Sequence, residues 1–296
     1  MLTAATAGSV DFWRWHPHPE VWALVGGITI LYVYAARVIG PKVVPAGTPA
    51  VSRSQRRWFT FGILVLWAAS DWPVHDIGEN YLYSVHMAQH LMLTLVAPPA
   101  MLLATPEWLA RLVLGTGRAD RMVHRLARPV LAGALFNVLI LLSHWPVLVN
   151  HASANGPLHY SVHTTLVTAA LLFWMPVCGP LPELRISAFS QMIYLFVASI
   201  VPTVPGAWLT FAEGAVYSVY DIPARMWGVS VTSDQQVAGV LMKLGGGGFL
   251  WVLITIIFFR YASAEERDEP EPGAGPLTWD DVQHQFDEHP APSAGH

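Results

Sequence analysis

Apolar residues in this chain fall into long blocks separated by short polar or basic connections, and a helix of ~20 mostly apolar residues is what a bilayer crossing requires. Seven blocks qualify or nearly do: Val21–Ile39, Trp58–Val74, Tyr83–Leu103, Pro129–Val149, Leu158–Val177, Ser187–Phe211 and Gln235–Phe259. The second is short, and the sixth is interrupted by Pro202 and Pro205. No stretch between blocks has the length of a soluble domain. The pattern therefore predicts an all-α fold, a polytopic membrane helix bundle with seven transmembrane helices. Composition agrees: 53% of the 296 residues are hydrophobic and only 12% charged, against about 25% charged in soluble domains.

The basic residues orient the bundle. Arg37, Lys42, Arg53, Arg56 and Arg57 surround the first connection, and Arg111, Arg118, Arg121, Arg125 and Arg128 fill the third. Arg185 follows the fifth block, and Arg260 and Arg267 follow the seventh. Thirteen of the sixteen Lys and Arg thus share one side, leaving Arg14 and Arg225 opposite and Lys243 inside the last block. Short loops rich in Lys and Arg stay in the cytoplasm, so the N-terminus is expected outside and the C-terminus cytoplasmic. The organisation that follows is an external N-terminal segment over 1–20, a seven-helix membrane domain over 21–260, and a cytoplasmic tail over 261–296. That tail carries nine acids against Arg267 and is rich in Pro, Gly and Ala, a composition that buries little apolar surface and predicts disorder. Met1–Trp15 has neither a basic start nor a continuous apolar core, which argues against a cleaved signal peptide.

Histidine is the anomaly within this frame. His86 and His90 lie near the start of the third block, and His159 and His163 near the start of the fifth. Each pair is spaced i, i+4, so both of its imidazoles leave one helix face. Ionisable side chains inside membrane helices are expensive and mark functional sites. Both blocks enter from outside, which puts the four histidines at similar depth in the outer half. His16, His18, His75, His144 and His151 fall in outer loops or at outer helix ends, making nine of the thirteen histidines external. Asp11, Glu20, Asp71, Asp76, Glu79, Glu213, Asp221 and Asp234 share that side. An acidic, imidazole-rich face suits a cation arriving from outside, and neutral imidazole ligates copper, zinc or iron. A single such pair reads most simply as structural, hydrogen-bonded to neighbouring helices. Two pairs at one depth favour a metal site of His86, His90, His159 and His163, formed where the third and fifth helices face each other. The acid that follows the first histidine in zinc hydrolases is absent from His86-Met-Ala-Gln-His90, so metal hydrolysis is not suggested.

Other residues have two readings each. Met87 and Met92 adjoin the first pair; a thioether favours Cu(I), and it also serves as packing filler. Asp234 and Gln235, with Gln236, open the last block, either as an ordinary helix cap or as partners that orient ligand imidazoles. His75, at the outer end of the second block, is a further supporting residue. Lys243 lies inside the last block and is expected to pair with Asp234 or Glu213 or to line a wet cavity. Pro98-Pro99 removes two helix hydrogen bonds and should kink or loosen the inner half of the third helix. Cys178 is the lone cysteine, which excludes an intrachain disulfide and any Cys-x-x-Cys site. With no nucleophile elbow, phosphate-cradling glycine loop or basic patch, neither enzymatic turnover nor nucleic-acid binding is expected, and the lipid bilayer is the surrounding partner.

Three stretches resemble a known family. YSVHMAQHLMLTLVAPPAMLLATP (Tyr83–Pro106), FWMPVCG (Phe173–Gly179) and SDQQVAGVLMK (Ser233–Lys243) are similar to the polytopic CtaG-type (Caa3_CtaG-like) cytochrome c oxidase assembly factors of bacteria. With the shared layout the likeness covers about Val21 to Arg260, and its first motif is the specific one. An aromatic residue usually follows the Met of the last motif in that family, where this chain has Lys243. The resemblance implies a multi-pass protein of the bacterial cell membrane that acts on cytochrome c oxidase subunits as a metallochaperone. It implies copper at His86, His90, His159 and His163, with Asp234 and Gln235 nearby. The alternative is a haem-b membrane cytochrome with one histidine from each pair as axial ligand, against which the outer side offers only Arg14 and Arg225 for haem propionates. A copper channel would need ligands through the whole depth, and a pure scaffold would need none.

Overall fold

The structure, a computed structural model, describes residues 11–268 together with Trp279 and Gln283. All regular elements among the described residues are helical. In chain order they are α1 (Pro19–Val43), α2 (Arg53–Ser70), α3 (Val74–Asn80), α4 (Tyr83–Ala104), α5 (Glu107–Leu114), α6 (Arg118–Leu126), α7 (Pro129–Ser143), α8 (Pro146–Ser153), α9 (Gly156–Cys178), α10 (Ala188–Thr210) and α11 (Val231–Glu265). Helical geometry runs on to Asp268, past the Arg260 boundary expected from sequence, and apart from Trp279 and Gln283 the rest of the acidic tail lies outside the described residues.

Five of these helices, α1, α4, α9, α10 and α11, are long and apolar enough to cross a membrane, and the bent α6–α7 pair makes a sixth if counted as one span. The chain is a multi-pass membrane protein. The other expected spans differ for local reasons. α2 has 18 residues and opens on Arg53, Arg56 and Arg57 after a Ser52–Gln55 capping box, so its apolar part is short. α7 stops at Ser143 after 15 residues, about 22 Å of helix, and does not reach Val149. Pro146 forces Trp145 into an extended conformation (φ −68°, ψ 125°), because a residue before proline cannot comfortably stay helical. α6 and α7 meet at 81°.

At the middle of the bundle is α4, which packs against α2, α3, α9 and α11. Its apolar window is 61% buried, against 11–33% for the other long helices. Leu95, Phe136, Leu166, Phe173, Trp174 and Leu195 form the core between α4, α7, α9 and α10. Pro98 lacks the N–H that would serve the carbonyl of Thr94. The helix widens there into a π turn over Met92–Val96, and the indole of Trp174 on α9 donates to the freed Thr94 oxygen at 2.9 Å. The π turn is a local distortion of α4 of the kind the proline pair predicts, and the carbonyl freed by Pro98 ties α4 to α9. α10 and α11 approach just as closely: a Cβ on Gly239 would stand 2.5 Å from the carbonyl of Gly206 and 2.6 Å from Thr210 Oγ1. Lys243, four residues further on, is exposed and lines an open, mostly apolar groove between α10 and α11 with Ser199 and Thr203. It makes no ion pair with Asp234 or Glu213 among the described residues.

Candidate metal centre

Helices α4 and α9 run side by side from the same end of the bundle, so the two i, i+4 pairs meet. Ring centroids of His86 lie 5.5 Å from His159 and 5.6 Å from His163, and His90 lies 4.6 Å from His163. A fifth side chain, a carboxylate, joins them from α3. The chain reverses through Tyr81 and Leu82, so α3 folds back over the start of α4. Gly78 makes the approach possible: a Cβ there would sit 3.1 Å from the backbone of His86. The next residue, Glu79, is carried onto the imidazoles.

One ligand atom from each of Glu79, His86, His159 and His163 lies within 4.8 Å of all the others. His159 Nε2 stands 2.5 Å and His86 Nδ1 3.8 Å from Glu79 Oε1. Buried polar atoms normally find a hydrogen-bond partner. Seven buried side-chain atoms among the described residues make no hydrogen bond, and four of the seven are Glu79 Oε1, His86 Nδ1, His159 Nε2 and His163 Nε2, of which Glu79 Oε1 and His159 Nε2 meet only as an ion pair. Three imidazoles and a carboxylate whose ligand atoms lie within 4.8 Å of one another are a donor set that fits a first-row divalent ion. The ring centroids of the four histidines lie 4.3–5.6 Å apart.

The remaining residues singled out from sequence take other places. His90 is not among the four; its Nε2 lies 2.9 Å from His86 Nε2, behind the centre. Met87 leaves α4 about 100° from His86, and its sulfur lies 3.4 Å from His144 Nε2, away from the cluster. Asp234 touches no imidazole. It reaches from α11 to the start of α4, where it accepts from the backbone N–H of Tyr83 (2.6 Å) and Ser84 (3.1 Å) and from the Ser84 hydroxyl (2.5 Å). The cap of its own helix is Ser230. Gln235 Oε1 accepts from the N–H of Val216 and Tyr217, and Gln236 donates to the carbonyl of Ala212. These residues hold the scaffold, because their amides and carboxylate are already saturated by backbone groups.

His75 links the centre to the surface. Its Nδ1 receives the Gln89 amide at 3.2 Å and lies 4.0 Å from Glu79, and its ring packs edge-on to His18 at 4.9 Å. His18 Nε2 lies 2.7 Å and His16 Nδ1 3.1 Å from the Asp76 carboxylate, and the His16 side chain is 56% exposed. A continuous line of imidazoles and carboxylates therefore runs from the surface to Glu79. Burial works against the charged form of His18, but hydrogen bonds to Asp76 and Glu20 and their charges outweigh it and hold its pKa above the usual 6.5. A raised folded-state pKa stabilises fully below the unfolded value and is lost as pH rises through the folded one. Hydrogen exchange in residues 11–18, corrected for intrinsic rates, should therefore be slower at about pH 6 than at about pH 8, and Asp76→Asn should remove the difference. Equal protection at both pH values in the wild type would refute this docking role.

A model of the cytochrome c oxidase caa3 assembly factor family (Caa3_CtaG) matches residues 30–264, which includes the whole histidine and glutamate cluster. The chain belongs to that family. No curated protein and no solved structure matches it. Membership in an assembly-factor family implies a non-catalytic role in making cytochrome c oxidase. The match begins inside α1 and ends near the close of α11, so it takes in the bundle and leaves out the His16–His18 surface.

Proposed function

We propose that this family member binds copper at Glu79, His86, His159 and His163 and helps deliver it to a haem–copper oxidase subunit at the outer face of a bacterial cell membrane. The observation that carries the reading is an overlap: all four residues whose ligand atoms cluster are among the seven with a buried polar atom that makes no hydrogen bond. Among divalent first-row ions, an all-nitrogen-and-oxygen site of this kind holds Cu(II) most tightly. Neutral imidazole and ionised carboxylate are the ligating forms, so binding releases any protons these groups carry.

The orientation supports the same reading. With α2 and α7 counted as spans, the bundle has seven, the arginine-rich connections face the cytoplasm, and the metal cluster opens outward. His16, His18, Asp76 and His75 then form the approach for a cation. Tyr83, Tyr217 and Tyr220 pack together beside His86, with ring centroids of 4.5 and 5.1 Å from Tyr83 to the other two, and shield the cluster on that side.

Metal analysis of protein purified from membranes is the direct test. About one Cu(II) per chain is expected for wild type loaded with Cu(II), and His86→Ala combined with His159→Ala should bring Cu(II) occupancy to background. Undiminished Cu(II) in that double variant would refute the site.

A further inference from the structure

We infer that the chain holds a second, softer metal site, built from Met87 and His144 and selective for a monovalent cation such as Cu(I). It extends the copper reading above to a different oxidation state and a different ligand set.

The inference starts from the hydrogen bonds of His144. This residue is buried at the end of α7, and its Nδ1 lies 2.7 Å from the carbonyl oxygen of Ile140. A carbonyl only accepts, so Nδ1 carries the proton there and, in a neutral imidazole, Nε2 is a bare lone pair. That lone pair points at Met87 Sδ, 3.4 Å away. A thioether sulfur is likewise only an acceptor. Two buried acceptors facing each other give no hydrogen bond, and among the described residues no acid makes an ion pair with His144 to justify a charged imidazole. An electrophile between them resolves the conflict. Bonds of about 2.0 Å to nitrogen and 2.3 Å to sulfur enclose an N···S distance of about 3.4 Å at a near-tetrahedral angle.

Space and surroundings agree. Met87, His90, His144 and Met242 share the wall of a cavity of about 50 Å³, whose other lining is largely apolar. A cavity holds a water-sized sphere once this volume passes roughly 10–15 Å³. Thioether and imidazole in an apolar wall suit a soft ion of low charge, whereas a divalent ion would lack the carboxylate that Glu79 supplies next door. Tyr217 fixes the geometry by donating to the His144 carbonyl at 2.9 Å. His90 stands between the two sites, bonded to His86 on one side and lining this cavity on the other.

The test is X-ray absorption on detergent-purified protein loaded anaerobically with Cu(I) alone. One sulfur neighbour at about 2.3 Å is expected beside nitrogen. Met87→Leu, a volume-conserving change that a core tolerates, should remove that sulfur and weaken Cu(I) binding by at least about 10–100-fold. A wild-type spectrum with only nitrogen or oxygen neighbours would overturn the proposal. So would a sulfur signal that survives Met87→Leu and disappears in Met242→Leu. Glu79→Gln separates the two sites: it should lose Cu(II) and keep sulfur-ligated Cu(I). Retained Cu(II) in Glu79→Gln with a sulfur signal present would refute the first centre and leave the second standing.

Discussion

Glu79→Gln is expected to weaken Cu(II) binding by at least about 10–100-fold, while His90→Ala leaves it close to wild type. Only the first of these residues offers an unpartnered atom to the cluster; His90 has its Nε2 taken up by His86. The contrast is sharp because a reading from sequence alone would rank them the other way. Glutamine keeps the volume of the side chain and removes the charge, so the loss would report on ligation and not on packing. A thermal shift shows the same thing. An ion at a hundredfold excess over its Kd stabilises the folded state by about 2.7 kcal/mol. The wild type and His90→Ala should both show that upward shift with Cu(II), and Glu79→Gln should show little of it. If His90→Ala lost the shift as fully as Glu79→Gln, the four-donor assignment would be wrong.

Why the carboxylate escaped notice in the sequence is itself physical. The apolar blocks that become α1, α4, α9, α10 and α11 are visible because a bilayer demands about 20 apolar residues in a row whatever the tertiary structure. The i, i+4 histidine pairs are visible because helical periodicity fixes their face. Glu79 belongs to neither class. It sits on a seven-residue helix before the block, and only the reversal at Tyr81–Leu82 and the missing side chain of Gly78 bring it onto His86. A signal was present: His75 and Glu79 repeat the i, i+4 spacing of the histidine pairs. The early end of α7 was likewise legible in Pro146, and Pro98 announced a free carbonyl, but nothing local says that Trp174 would take it. His90 lies one turn of helix beyond His86, and spacing alone does not say that its Nε2 would meet His86 Nε2. Asp234 poses the same difficulty at long range, since its partners lie about 150 positions earlier in the chain.

Those long-range partners give the second large effect. Asp234→Ala is expected to destabilise the protein by about 2–5 kcal/mol, read as a lower unfolding midpoint in detergent. The first turn of α4 leaves its N–H groups without helical partners, and Leu82 ahead of it has no side-chain acceptor to offer. Asp234 fills that gap with one buried carboxylate that takes three donors, the backbone of Tyr83 and Ser84 and the Ser84 hydroxyl. Alanine would strand the two N–H groups away from water, which costs more than the bonds themselves contributed. Ser84→Ala removes one donor and strands nothing, so about 0.5–1.5 kcal/mol is expected, and Asp234→Asn should fall between the two. The metal site should follow, because His86 lies within the first turn after the capped N–H groups and its Nδ1 must stay near Glu79 Oε1. In Asp234→Ala the Cu(II)-dependent thermal shift should therefore shrink even though no ligand has been changed. A midpoint within about 1 kcal/mol of wild type would show that α4 starts equally well without this contact, and the link from α11 to the metal centre would fail with it.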